Sequence, residues 1–479
     1  MNQLSRRNFL KFSGTLLGSG ILPAYGNSNL TMSADPMTAA IGNNLQTNPI
    51  QINRQSKALV FIMLAGGNDS FNMLVPTTPA EYRQYQATRS NLALNQTDLL
   101  PLNGFRDANG SRFGLHPAMP EVKQLFQQKK LSFIANCGPL ITPVNKTAFL
   151  NNTAELPVGL MSHSDQARHW QTANPGERER HGWFGRYADV LQSGKPDSQI
   201  AMNISLSGNN ILQNGQESSP YTIEQEGSTG LVIKENPPGQ AAGQQALNNI
   251  LLNGVNHMLN RQYSDPFMQS YINTLRHAQT YHEQFQGAVS SINPATEFSP
   301  SSLSQQLKMV ARSIAASASL GLPQQTFFIE YGGWDHHDEL LQNQNRMLGV
   351  LSNALAEFDT ALHELNVADK TVTFTGSDFG RTLTSNGNGT DHGWGGNIMI
   401  MGNAVKGGEV FGEFPALALN SGLDVGNGVL IPTTATDEIF AELSLWFGVA
   451  KQDLPRLFPN LENFYAVTDP ANPLGIIQA

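Results

Sequence analysis

The stretch that decides the fold is residues 58–65, ALVFIMLA, closed by Gly66-Gly67-Asn68-Asp69. Eight apolar residues in a row are too few for a membrane helix, and they lack the alternation of a strand with one wet face. A continuous run of this length, ended by glycines, reads as a strand buried on both faces, the signature of a parallel sheet. The design recurs along the chain. Residues 131–135 end at Asn136-Cys137-Gly138, residues 326–331 (TFFIEY) at Gly332-Gly333-Trp334-Asp335, and residues 371–375 at Gly376-Ser377-Asp378. Residues 397–401 form a further apolar run closed by Gly402, while 200–206 and 231–234 are weaker strand candidates.

Helical spacing fills the intervals. Met119, Val122 and Leu125 mark one helix within 118–129, and residues 303–320, 344–365 and 437–447 mark others. Strands alternating with helices predict an α/β, three-layer sandwich with a mostly parallel central sheet. Residues 207–300 break the alternation with Gly, Gln and Asn-rich loops and a helical stretch at 265–291, and are read as an insertion on the same domain.

The ends of the chain set the expected domain boundaries. Ser5-Arg6-Arg7-Asn8-Phe9-Leu10-Lys11 precedes a short apolar stretch and small residues near Pro23-Ala24-Tyr25-Gly26. That is the pattern of a twin-arginine signal peptide over 1–26, which implies export of the folded chain to the periplasm or beyond and the export machinery as a partner. Residues 27–56 read as a flexible leader, and 57–479 as the folded α/β domain. The chain of 479 residues carries a net charge of −9, and the signal segment holds three basic residues and no acid, so the remainder is more acidic still. An acidic surface argues against nucleic acid and against anionic lipid as partners. The single cysteine, Cys137, excludes an internal disulfide, and no other apolar stretch is long enough to span a membrane.

Ligands of open α/β sheets collect beyond the carboxyl ends of the strands. Three predicted strands are followed there by an acid: Asp69, Asp335 and Asp378. Asp335-His336-His337-Asp338 offers carboxylate oxygen and imidazole nitrogen, a set suited to zinc, manganese or iron; Asp335 as a helix cap is the plainer reading. Arg381 lies three residues beyond Asp378, placed to grip a tetrahedral anion or to pair with Asp378. His392, among glycines in Thr390-Asp391-His392-Gly393-Trp394-Gly395-Gly396, is a poor core residue and a plausible ligand. Ser162 and Ser164 open a helix start, where a serine serves either as a nucleophile or as a cap. His169 and Trp170 read as packing residues of that helix, and His116 and His181 as structural or surface residues. The chain has no G-x-S-x-G, G-x-G-x-x-G, Walker or H-E-x-x-H motif.

Taken in order, GGND at 66–69, SHSDQ at 162–166, GGWDHH at 332–337, SDFGRT at 377–382 and TDHGWGG at 390–396, behind a twin-arginine leader, resemble the exported bacterial family called domain of unknown function 1501, grouped with the alkaline-phosphatase-like superfamily. The resemblance implies an alkaline-phosphatase-like sheet with metals at the strand ends. It places zinc or manganese at Asp335, His337 and His392, with a second, weaker site for calcium or magnesium at Asp69 and Asp378. That second site lacks an imidazole, because Phe379 stands where the family pattern has one. The implied activity is metal-dependent hydrolysis of a small anionic phosphate or sulfate ester, with Ser164 or Ser162 as nucleophile and Arg381 holding the non-reacting oxygens. The rival expectation is a non-catalytic periplasmic binding or assembly protein that keeps a structural metal.

Overall fold

The computed structural model describes residue 52 and residues 55–191, 200–231 and 241–478. The signal and most of the leader, and most of the strand candidate at 231–234, lie outside the described residues.

The strands of the main sheet are β1 Lys57–Ala65, β2 Leu131–Gly138, β3 Asn203–Ser205, β4 Tyr221–Thr222, β5 Gln324–Gly332, β6 Thr371–Ser377, β7 Gly396–Met401, β8 Val410–Phe411 and β9 Thr434–Ala435. Their order is β8-β2-β7-β6-β1-β5-β3-β4, with β9 also on β2. The longer helices are α1 Pro79–Arg89, α2 Pro120–Gln127, α3 His163–Thr172, α4 Trp183–Leu191, α5 Ala242–Asn260, α6 Pro266–Ser290, α7 Ser302–Ala315, α8 Leu340–Glu364 and α9 Thr436–Phe447. The stretch 207–300 contributes the short edge strand β4 and the helices α5 and α6.

The central strands are buried along nearly their whole length, as their unbroken apolar sequence predicts. Phe61 of β1 lies in register with Phe328 of β5 and Phe374 of β6. Its ring stacks on Phe374 at 4.7 Å and on Trp170 of α3 at 6.2 Å. Trp183 and Phe440 continue this aromatic layer from α4 and α9, stacked at 4.6 Å. Aromatic pairs of this kind add about 0.5–1.5 kcal/mol beyond their buried area. The second helical layer is α2, α7 and α8, with α8 packed against both of the others. Together these are the three layers of an α/β sandwich with a mostly parallel sheet.

Strand β7 is the exception to parallel pairing among the longer strands of this mostly parallel sheet. It runs antiparallel to both β2 and β6. The reason is the connection: residues 378–395 from β6 to β7 contain no crossover helix, and a parallel return needs one. The consequence matters for the site, because the amino end of β7 now lies at the rim where β6 ends.

At the start of α9 the Asp437 side chain is fully buried. Burial pushes its pKa up to about 8, against the pull of nearby Arg186. The folded chain therefore keeps a proton that the unfolded chain releases near pH 4, so stability from this group is whole below that pH and is lost as pH rises toward 8. Denaturant unfolding between pH 5 and 8 is expected to show stability falling as pH rises, with a component from this group. That component should be missing in Asp437→Asn; an identical slope in the variant refutes the assignment.

Candidate metal centre

Register brings the strand ends together. Gly332 at the end of β5 sits beside Ala65 of β1, and Ser377 of β6 beside Leu64. The loops after β1, β5 and β6 thus leave the sheet side by side. Gly66 has φ +120°, and a Cβ there would stand 2.5 Å from the Asp335 amide nitrogen, so only glycine lets these loops touch. Gly380 does the same for the loops after β6 and before β7. Its amide donates to the Trp394 carbonyl at 2.9 Å, and a Cβ would meet the Gly395 carbonyl oxygen at 2.0 Å. Arg381 and His392 are paired by an antiparallel bridge in this contact.

Four side chains converge at this rim. The Nε2 atoms of His163 and His392 are 3.1 Å apart, as are those of His337 and His392. Asp335 completes the group, with Oδ1 3.0 Å from His337 Nε2 and 3.5 Å from His392 Nε2, and Oδ2 3.4 Å from His163 Nε2. Among the described residues His163, Asp335 and His392 are the one group of at least three metal-capable donors lying mutually within 4.8 Å. The four side chains are between 29% and 44% exposed, so the cluster opens to solvent.

Each imidazole is held by its other nitrogen. His392 Nδ1 lies 2.9 Å from the carbonyl oxygen of Met161, which only accepts, so this nitrogen carries the proton. His163 Nδ1 lies 2.7 Å from Asp378 Oδ2, and His337 Nδ1 3.2 Å from Asp391 Oδ1. With carboxylates as acceptors, the same tautomer follows for both. Three Nε2 lone pairs and the Asp335 oxygens then face one another with no hydrogen between them. Lone pairs at 3.0–3.5 Å repel unless a cation lies among them, and a single proton relieves one pair only. Tetrahedral bonds of about 2.0–2.1 Å separate ligands by roughly 3.3 Å, so this spacing fits such an ion.

The surroundings reinforce the arrangement. The Phe379 ring lies 4.7 Å from that of His163 and 4.6 Å from that of His392, wedging both. The imidazole absent at position 379 thus arrives on Asp378 from α3, as His163. Burial raises the Asp378 carboxyl, with His163 opposing. At Asp335 burial also acts upward, but the hydrogen bond and charge of Arg381, with His337 and His163, hold the carboxyl below its ordinary value. Burial lowers His392 and buried His336 alike.

The residues singled out by sequence fall into distinct places. Asp335, His337 and His392 share the cluster. Asp378 stands behind it, bonded to His163 and to the Gly66 amide at 3.0 Å. Asp69 is buried, and its Oδ2 is taken by Arg89. Arg381 has no exposed side chain; it binds Asp335 Oδ1 at 2.7 Å, Thr390 Oγ1 at 3.2 Å and the carbonyls of Thr390 at 2.5 Å and Gly66 at 3.3 Å. Its partner is Asp335, not Asp378, and it positions the Asp335 carboxylate rather than facing solvent. Ser162 occupies the N-cap position of α3 without a side-chain cap bond, and its hydroxyl lies 3.2 Å from that of exposed Ser164. Sequence reasoning passed over His163 between them. The available signal was its place at the first residue of a helix, where a side chain leans back toward the N-terminus and away from the packed face.

The profile of the family described as "Protein of unknown function (DUF1501)" matches residues 56–427. The chain belongs to that family. No curated protein matches the sequence. Among solved structures, it is similar to the C-terminal periplasmic domain of EcEptC from Escherichia coli, at 10% identity and TM-score 0.33, over 84% of this chain and 86% of that one. It is similar to the lipoteichoic acid synthase LtaP from Listeria monocytogenes, at 7% identity and TM-score 0.30, over 80% and 78%. It is also similar to Thermus thermophilus alkaline phosphatase, at 12% identity and TM-score 0.23, over 70% and 62%. At overlaps this loose the reading of the site rests on its side chains alone.

In metal-free protein at pH 8, long-range 1H–15N spectra are expected to show His163, His337 and His392 all protonated on Nδ1. An Nε2–H tautomer at any of the three would break the acceptor-only arrangement.

Proposed function

We propose that this DUF1501 protein is an exported, metal-dependent hydrolase of small anionic esters, phosphate or sulfate. The observation that supports the reading is the convergence of three Nε2 lone pairs with a carboxylate, each imidazole fixed from behind by an oxygen. Histidines anchored in this way by carboxylates and carbonyls are the pattern of metal ligation, and imidazole with carboxylate suits zinc, then manganese. His163, Asp335, His337 and His392 would hold the ion. When bound, it supplies Lewis acidity toward an ester oxygen.

The chain's own groups define the rest. Asp378, Asp391 and the Met161 carbonyl orient the imidazoles, and Arg381 orients Asp335. Ser164, exposed at the first turn of α3 next to His163, is the serine assigned the attack in this proposal, with Ser162 and water as the alternative nucleophiles. Arg381 is enclosed and already bonded, so it is not the group that grips free substrate oxygens. With one divalent ion held there, the three carboxylates Asp335, Asp378 and Asp391 would be balanced by that ion and this one guanidinium, which suits an ester with a single negative charge over a dianion. Export by the twin-arginine route, through Arg6 and Arg7, belongs to the same proposal.

The enclosure of Arg381 also favours a second reading, a binding or assembly protein that retains the metal as a staple. Elemental analysis of purified protein is expected to find bound transition metal, lost in His163→Ala and Asp335→Ala. Asp378→Asn, acting through His163, is expected to weaken affinity about 10–100-fold. Sulfate monoesters and phosphodiesters should be hydrolysed faster than phosphomonoesters. Metal without turnover of any of these would favour the binding protein. Turnover that survives Ser162→Ala and Ser164→Ala would favour water as nucleophile.

A further inference from the structure

The acid after β1 sits in a setting of its own. Asp69 is 1% exposed, and its Oδ2 is bonded to the Arg89 guanidinium at the end of α1, whose side chain is fully enclosed. The other guanidinium nitrogens are spoken for. Nε donates to Asn72 Oδ1 at 3.2 Å, and one terminal nitrogen donates to the carbonyls of Thr382 at 3.0 Å and Leu383 at 3.2 Å. Asn72 is itself fixed, accepting from the Tyr85 hydroxyl at 2.9 Å and donating to the Leu92 carbonyl at 3.0 Å. A locked guanidinium of this kind cannot lose its charge or swing away. The remaining oxygen, Asp69 Oδ1, is buried without a hydrogen bond. Even so, among the described residues Asp69 belongs to no group of three His, Cys, Asp or Glu donors within 4.8 Å. Asp378 Oδ2 is already shared by His163 and Gly66, while Asp378 Oδ1, like Asp69 Oδ1, is buried without a hydrogen bond.

These side chains do not fit a second ion at Asp69 and Asp378. We propose that Arg89 is a tethered cation that does at Asp69 the electrostatic work of a second metal, so that the centre takes one ion per chain. The inference rests on the reading of the His163, Asp335, His337 and His392 cluster as a metal site. Its chemistry is charge compensation: a buried carboxylate needs a partner, and a bonded guanidinium both supplies one and repels a further cation. Arg89 also reaches the carbonyls of Thr382 and Leu383, so it ties the loop after β1 to the loop that carries Asp378 and Arg381.

The test is metal stoichiometry on the full chain. Metal-stripped protein is loaded with excess zinc, manganese, calcium or magnesium in turn, and tightly bound ions are counted after gel filtration. One ion per chain in the wild type, unchanged in Asp69→Asn, is the expected result. Two ions in the wild type, falling to one in Asp69→Asn, would overturn the proposal and leave the cluster reading intact. No bound ion with any metal would overturn the cluster reading, and this inference with it. In Arg89→Met the freed carboxylate is expected to make Tm rise with added calcium, magnesium or manganese beyond any rise in the wild type. A folded variant without that rise would also overturn the proposal, and if the variant fails to fold the counts on wild type and Asp69→Asn decide.

Discussion

Everything at the rim depends on three Nδ1–H groups being tethered to oxygens that come from three different segments. Met161 lies just before α3, Asp378 just after β6, and Asp391 in the loop before β7. Because each tether takes the proton-bearing nitrogen, the other three nitrogens have nothing left to present but lone pairs. An imidazole turned over, or protonated on Nε2, would make an ordinary hydrogen-bonded polar patch. The fixed tautomers instead give the same residues the donor set of the proposed cation site. Met161 adopts φ +66°, a left-handed conformation uncommon for a residue with a side chain, and its carbonyl is one of the tethers. Strain of that kind persists only where the surroundings enforce it.

The tethers work because the backbone underneath is crowded. Parallel pairing of β1 with β5 and β6 sets three loops at one height, and the reversed β7 sends the segment 390–395 back into the same place. Glycine at 66 and 380 lets these loops run closer than any Cβ permits. Arg381 is then clamped between Gly66, Thr390 and Asp335, converting loop contact into a fixed carboxylate orientation. Its burial explains why an arginine that reads from sequence as an anion clamp is instead part of the frame.

The strands were legible because residues buried on both faces must be apolar without interruption, and this constraint appears directly in ALVFIMLA and TFFIEY. Asp335, His337 and His392 were legible for a related reason: polar, metal-capable residues among glycines after a buried strand have no core role to play. His163 was not, since Ser-His-Ser at a helix start resembles a cap as much as a site, and the serines drew attention first. Arg89 was beyond reach. It is the last residue of an exposed-looking helix, and its partnership with Asp69 is a tertiary fact with no local mark. The antiparallel course of β7 was implicit in the missing crossover helix, although its apolar sequence resembles that of its parallel neighbours.

A donor set collected from α3 and from the loops after β5 and before β7 exists only in the folded chain. Its ligands are scattered in the unfolded ensemble, so an ion that binds the assembled cluster stabilises the fold by mass action. The same scattering means that no single loop holds useful affinity by itself. The proposed export of an already folded chain is consistent with that dependence, because a site assembled before transport can also be loaded before transport. Arg89 fits the same economy. A cation carried in the sequence is present at Asp69 in whichever compartment folding occurs, whereas the proposed ion at His163, Asp335, His337 and His392 would come from outside the chain.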